Sequence, residues 1–280
     1  MNPPVDLDAY LGRIAWRGPT APSLRTLAGL LLAHMDRIPF ENLDVLLGRA
    51  IRLDLPSLQR KLVHERRGGY CFEHATLFAA VLESLGFDVR RHTARVIQFT
   101  PRELAPRSHM FLAVTLPDGE FVVDPGFGGL SAPFPVPLGG AEPSNAGRAG
   151  ATSAPGHQDA THWLARENGI WLLRARTPGR IVDCWISTLE AENAVDFDVS
   201  NHYTATHPGS PFRQRILMQA RRPGGRATIR NRTLTLWQGD AAEVTELRDR
   251  RALREAVARH FGFDLPAVET LRVPDIPEWD

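Results

Sequence analysis

A change of hydrophobic period near residue 88 divides this chain of 280 residues. Before it, Asp8 to Ile14, Ser23 to Met35 and Leu55 to His64 carry apolar residues at intervals of three and four, which places them on one face of a helix. Ser23 and Asp54 are the expected N-caps, and Pro56 follows Asp54 near the first turn, where no N–H is needed. After it the period falls to two. Val89 to Phe99, Met110 to Leu116, Glu120 to Val123, Trp163 to Leu164 and Ile170 to Arg176 read as strands, with Pro117-Asp118-Gly119 as a turn between two of them. The last third mixes strands (Arg215 to Gln219, Ala227 to Arg230, Thr233 to Trp237) with a terminal helix predicted over Glu246 to Phe261. Residues 139–160, rich in Gly, Ala, Ser and Pro, read as a mobile loop. Helices, then strands, then a mixed segment indicate an α+β fold rather than an alternating α/β one.

Composition narrows the function classes. Basic and acidic residues number 33 and 32, a net charge of +1, so nothing global points to nucleic acid or a membrane surface. No run approaches the ~20 apolar residues that span a bilayer. The segment Met1-Asn2-Pro3-Pro4-Val5-Asp6 lacks the regions of a signal peptide, so a cytoplasmic location is expected. Two cysteines make no disulfide framework, and no Cys/His pair has zinc-site spacing, so no metal is expected.

One cysteine sits in a suggestive place. Arg67-Gly68-Gly69-Tyr70-Cys71-Phe72-Glu73 runs into a predicted helix over residues 72–86, stopped by Gly86. Two glycines leave the backbone room to approach a substrate, and a cysteine opening a helix lies at the positive end of its macrodipole. A free thiol with a pKa of ~8.5 is only about 3% thiolate at neutral pH, so full ionisation raises the reactive population about thirty-fold. A neighbouring imidazolium supplies that ionisation, provided a third group orients it.

His109, at the start of the Met110 strand, is the best-placed histidine, and Asp124 closes the strand Phe121-Val122-Val123. A carboxylate ending an apolar strand needs a donor, and His109 Nδ1–H is the expected one. The register raises a difficulty. A two-residue turn at Asp118-Gly119 sets Asp124 opposite Ala113, about 13 Å along the strand from His109. Contact requires pairing centred nearer Leu116-Pro117, a bulge or a longer loop, and such an irregularity is predicted. Spacing alone also admits plainer readings: a structural cysteine, an ordinary strand histidine, a turn-forming Asp. Cys184, in the strand-like run Ile181-Val182-Asp183-Cys184-Trp185-Ile186, is read as core packing.

At this point the residues resemble the arylamine N-acetyltransferase family over nearly the whole chain. Ile38-Pro39-Phe40-Glu41-Asn42-Leu43, the Cys71 motif, Ser108-His109-Met110, Val123-Asp124-Pro125-Gly126-Phe127-Gly128-Gly129, and Asn201-His202-Tyr203 with Thr206-His207-Pro208 match five family signatures in order. The resemblance implies a helical domain (1–88) carrying the catalytic cysteine, a β-barrel domain (89–195) carrying His and Asp, and an α/β C-terminal lid (196–280). It also implies a core similar to papain-like thiol enzymes and transglutaminases. The implied activity, of the kind found in xenobiotic metabolism, is ping-pong acetyl transfer. Acetyl-CoA acylates Cys71, and an arylamine, hydrazine or arylhydroxylamine takes the acetyl group, with His109 and Asp124 completing the triad.

Less specific carry-overs are Pro106, Arg107, Gly126 and Gly128 toward CoA, and Phe40, Tyr70 and Phe127 toward a small-molecule acceptor. Arg67 with Glu41 is implied to be a buried pair supporting the cysteine loop. A monomer or homodimer is expected. The chain departs from the family at Ala75, where Asn is usual, at His74, where Gln is more usual, and at Pro125. His74 is read as an exposed polar residue or as a perturber of the thiolate. Other readings are an amide synthase of the same fold closing a macrolactam on a polyketide carrier, and a non-catalytic transglutaminase-like module. A papain-like protease is disfavoured by the absence of its usual glutamine and tryptophan near the cysteine.

Overall fold

A computed structural model describes residues 4–139, 161–177, 179–239, 241–276 and 279. The loop expected over 139–160 therefore lies, beyond Gly139, outside the described residues. The chain opens with helices α1 (Leu7–Arg13), α2 (Leu24–Arg37), α3 (Leu43–Leu46), α4 (Leu55–Leu58) and α5 (Cys71–Ser84). Ser23 and Asp54 cap α2 and α4 as expected, their side chains accepting from Thr26 N–H and Ser57 N–H. After α4 the helix widens to a π-type turn over Gln59–His64. Helix α5 ends in a Schellman motif: Gly86 is left-handed (φ 86°), its N–H reaches Glu83 O, and Phe87 N–H reaches Leu82 O, both at 3.0 Å.

Strands β1 (Asp88–Val96), β2 (Arg107–Leu116), β3 (Gly119–Val123), β4 (Val136–Pro137), β5 (Thr161–Glu167), β6 (Ile170–Thr177) and β7 (Arg180–Ser187) form one sheet. Its order is β4-β3-β2-β1-β7-β6-β5, every neighbour antiparallel. The end strands β4 and β5 touch, so the sheet curls almost into a barrel. Its two faces serve different cores. Met110, Leu112, Val114 and Val123 pack with α5 and the other helices. Phe111, Val122, Leu173, Cys184 and Trp185 fill the barrel interior. Strand alternation thus lets β2 bind the helices on one side and furnish the barrel on the other.

The rest of the chain holds α6 (Ala194–Thr206), α7 (Pro211–Gln214), a meander of β8 (Leu217–Arg222), β9 (Gly225–Arg230), β10 (Thr233–Gln238) and β11 (Ala241–Glu246), and α8 (Arg250–Phe261). The meander and α8 share a third core around Ile216, Ile229, Leu253 and Val257. The terminal helix predicted from Glu246 starts instead at Arg250, because Glu246 ends β11 and Asp249 caps the helix. Strand β11 escaped the sequence reading because all six of its residues are exposed, leaving no alternating burial. Helix α6 escaped it because only Phe197, Asn201 and Thr204 are buried, too sparse an apolar stripe to signal a helix.

Candidate active site

Cys71 is the first residue of α5. Glu73 supports that end of the helix: its Oε2 accepts from Tyr70 N–H at 3.1 Å, while Oε1 meets Lys61 Nζ at 2.7 Å. The Arg67–Glu41 pair is present, with Nη2 to Oε1 at 2.6 Å, and it belongs to a larger network. Arg67 also binds both oxygens of Asp44, and Lys61 bridges Asp44 to Glu73. This network ties the turn before Cys71 to the segment 41–44. Gly68 lies so close to the residues just before that segment that a Cβ would fall 1.9 Å from Pro39 O. The glycine therefore makes room for the protein's own backbone, not for a substrate as the sequence suggested.

His109 and Asp124 arrive from the barrel. Leu116 pairs with Gly119 and Leu112 with Val123, so the turn sits at Pro117-Asp118, one residue earlier than the simplest reading. Continuing that register sets Asp124 beside Phe111, two residues from His109 and on the same face. An irregularity is present too, on the opposite edge of β2. Ala94 pairs with His109 but Arg95 with Arg107, leaving Ser108 as the extra residue of a bulge. The carbonyl of Ser108 accepts from the Cys71 thiol at 3.7 Å.

All three side chains are buried. His109 Nε2–H donates to Asp124 Oδ2 at 2.8 Å. From the sequence that bond is expected at Nδ1; the strand brings Nε2 there instead, which leaves Nδ1 clear of the carboxylate. Burial opposes charge on His109, but the Asp124 carboxylate and the Cys71 contact outweigh it and raise its pKa to about 10. The arrangement can therefore keep an imidazolium beside a sulfur at neutral pH.

Trp185, which the sequence argument passed over, donates Nε1–H to the same Asp124 Oδ2 at 3.0 Å. Its indole stacks on Phe111 with ring centres 4.3 Å apart. A signal existed: a tryptophan inside an apolar strand carries an N–H that burial obliges to find an acceptor. Which acceptor depended on the pairing of β7 with β1, distant in sequence. Its neighbour Cys184 is fully buried in the barrel core, where burial pushes its thiol up to about 12, in keeping with a packing role.

The remaining residues fall into separate places. Gly126 packs on the backbone of Cys71, where a Cβ would lie 2.8 Å from its Cα, so it lets the Asp124 loop close against α5. Phe127 sits edge-on to His109 at 5.0 Å, and Gly128 lies beside the half-buried Phe40 ring. Tyr70 is wholly buried, its hydroxyl bonded to Asn201 Oδ1, while Asn201 Nδ2 donates to Ile51 O at 3.0 Å. Pro106 and Arg107 line a cleft of about 610 Å³ together with Arg95 and Tyr203. There Arg107 pairs with Glu190 and Glu192. A larger hollow of about 840 Å³ lies between β1, β2 and α6, and none of Cys71, His109 and Asp124 lines it. Ala75 is completely buried in the helical core, where its methyl asks for no partner. His74 is buried as well, not exposed. Among the described residues no group of three or more His, Cys, Asp and Glu side chains could hold a metal ion, and no helix is long and apolar enough to cross a membrane.

Comparison with known proteins shows the family. A profile of the N-acetyltransferase family matches residues 23–270. The arylamine N-acetyltransferase of Mycolicibacterium smegmatis is 35% identical over 266 residues, 93% of each chain. The arylamine N-acetyltransferase / N-hydroxyarylamine O-acetyltransferase of Salmonella typhimurium is 35% identical over 265 residues, covering 94% of this chain and 90% of its own. Among solved structures, the Mycobacterium marinum arylamine N-acetyltransferase in complex with CoA superposes with a TM-score of 0.84 at 30% identity, over 94% of both chains. The chain therefore belongs to the arylamine N-acetyltransferases, a family of acetyltransferases.

Proposed function

We propose that this enzyme carries the acetyl group of acetyl-CoA on Cys71 and delivers it to the nitrogen of an arylamine or hydrazine, or to the oxygen of an arylhydroxylamine. The observation that carries this reading is the meeting of three buried side chains, His109 bonded to Asp124 through Nε2 and the Cys71 sulfur held at the carbonyl of Ser108, the residue before His109. In the first half-reaction the Cys71 sulfur attacks the thioester carbonyl. The new S–C bond forms, the bond to the CoA sulfur breaks, and the leaving thiolate takes a proton from His109. In the second, the acceptor nitrogen or oxygen attacks the acetyl-cysteine, His109 receives its proton, and Cys71 departs as thiolate. Asp124 and Trp185 hold the imidazole in place and stabilise its charge. Thioester exchange suits this nucleophile because bond formed and bond broken are alike.

Helices of the first 88 residues supply the nucleophile, the barrel of 89–195 supplies His109 and Asp124, and 196–280 form the lid. This is the division of a papain- or transglutaminase-like core. The cleft at Pro106 and Arg107 is the proposed CoA entry, where a phosphate would replace Glu190 or Glu192 on Arg107. Phe40 and Phe127 border the proposed acceptor side; Gly126 and Gly128 shape the passage between.

The test is to mix the protein with acetyl-CoA alone, remove free CoA species, and follow intact mass before and after adding an arylamine. One acetyl group on Cys71, discharged by the amine in a single turnover, is expected. Turnover without any acetyl-enzyme at any acetyl-CoA concentration would sink the reading.

A further inference from the structure

A second set of buried titratable groups surrounds the nucleophile and takes no part in the chemistry above. His74 lies one turn after Cys71 on α5, buried against His34 of α2. Tyr10 Oη meets His34 Nδ1 at 2.8 Å, and His34 Nε2 meets His74 Nδ1 at 2.8 Å. His74 Nε2 lies 3.1 Å from Gly69 O and 3.2 Å from Pro39 O.

The last link orients every proton in the chain. Two carbonyls can only accept, so His74 Nε2 carries the hydrogen. A neutral His74 then accepts at Nδ1, His34 donates from Nε2 and accepts at Nδ1, and Tyr10 donates its hydroxyl. Neutrality follows from the surroundings. Burial pushes His74 down to about 4 against the opposing pull of its two carbonyls, and burial also holds His34 well below its ordinary value. The charged groups facing the chain, Arg13 from α1 and Lys61 from the π-type turn, are cations that disfavour a further positive charge.

The clamped carbonyls lie where the turn that presents the sulfur meets the Pro39 segment, Gly69 N–H donating to Pro39 O at 3.3 Å. Gly69 O is two residues before Cys71 and also accepts Glu41 N–H at 2.8 Å. The Cβ of His74 faces Gly126 as well, at 3.1 Å from where a Cβ on that glycine would stand, so the loop after Asp124 is seated on the same residue. We propose that His74, oriented by Tyr10 and His34, is a positioning residue that holds the Gly69–Cys71 turn and the Asp124 loop in register, so that Cys71 meets His109. The inference rests on the reading of Cys71 as the nucleophile. A glutamine at 74 can serve the same role, its amide donating to the carbonyls and its oxygen accepting from His34; an apolar side chain cannot.

The test is the rate of Cys71 alkylation by iodoacetamide at pH 6 relative to pH 9, read by intact mass, which needs neither CoA nor an acceptor. His74→Gln should keep the wild-type ratio, and His74→Met should lower it about tenfold, since Cys71 then loses its register with His109. An unchanged ratio in folded His74→Met would overturn the clamp. Should that variant fail to fold, nitrogen-15 spectra of wild-type histidines decide instead: a neutral His74 protonated at Nε2 supports the clamp, and the Nδ1–H form or an imidazolium at neutral pH overturns it. Wild-type acetylation by acetyl-CoA is run in parallel. Its absence would defeat the acetyl-transfer reading alone, whereas the His74 variants bear on the clamp alone.

Discussion

Two buried histidines stand on either side of Cys71, and their proton affinities differ in opposite directions. His109, from the barrel, has its pKa raised to about 10, whereas His74, from the helical core, is pushed down to about 4. Burial disfavours the charged ring in both cases. The difference is the partner: His109 bonds to the Asp124 carboxylate, while His74 bonds to another histidine and two carbonyls. A formal negative charge outweighs desolvation; neutral dipoles do not. One histidine is thereby fit to hold a proton for chemistry, and the other to hold backbone in place without adding charge.

The largest effect that can break this comparison is loss of the sulfur itself. Cys71→Ser should abolish the acetyl-enzyme and lower turnover by at least about 10⁴-fold, measured with saturating acetyl-CoA. Asp124→Asn removes the charge that separates His109 from His74. It should reduce kcat by about 10³- to 10⁴-fold with a smaller change in KM, and wild-type turnover would show the carboxylate to be a mere turn former. Trp185→Phe keeps the ring stacking but deletes one donor to Asp124. The loss of a hydrogen bond worth about 1 kcal/mol predicts a roughly fivefold fall in kcat/KM.

Smaller effects sharpen the contrast through pH. A buried neutral His74 contributes stability that is complete above the unfolded pKa of about 6.5 and is lost as pH falls toward about 4. His109 has the opposite sign: its contribution is complete below about 6.5 and is lost as pH rises through about 10. Thermal melts across this range should therefore lose their acid-side slope in part in His74→Gln and keep the alkaline one. Least affected is Cys184→Ser, which should retain the acetyl-enzyme because that side chain only packs the barrel.

The N-terminal helical region was legible in the sequence because its signals are local. Ser23, Asp54 and Gly86 announce caps, and α5 starts and stops where its residues dictate. That Cys71, His109 and Asp124 come together was legible through the motifs around them, though their hydrogen bonding was not. Which histidine nitrogen faces the carboxylate follows from a turn at Pro117-Asp118 and a bulge at Ser108, each set by pairing rather than by composition. Trp185 and His74 were missed or misread for a related reason. Their importance lies in partners 61 and 40 residues away, Asp124 and His34, which no local pattern connects.

The most direct measurement is the protonation of His109, followed through the ring nitrogen-15 shifts of the wild-type protein from pH 5 to pH 10. The account predicts an imidazolium with both nitrogens protonated at pH 7, losing its proton only toward the alkaline end, while His74 stays neutral throughout. A His109 ring that is already neutral at pH 7 would contradict the ion pair on which the proposed acetyl transfer depends.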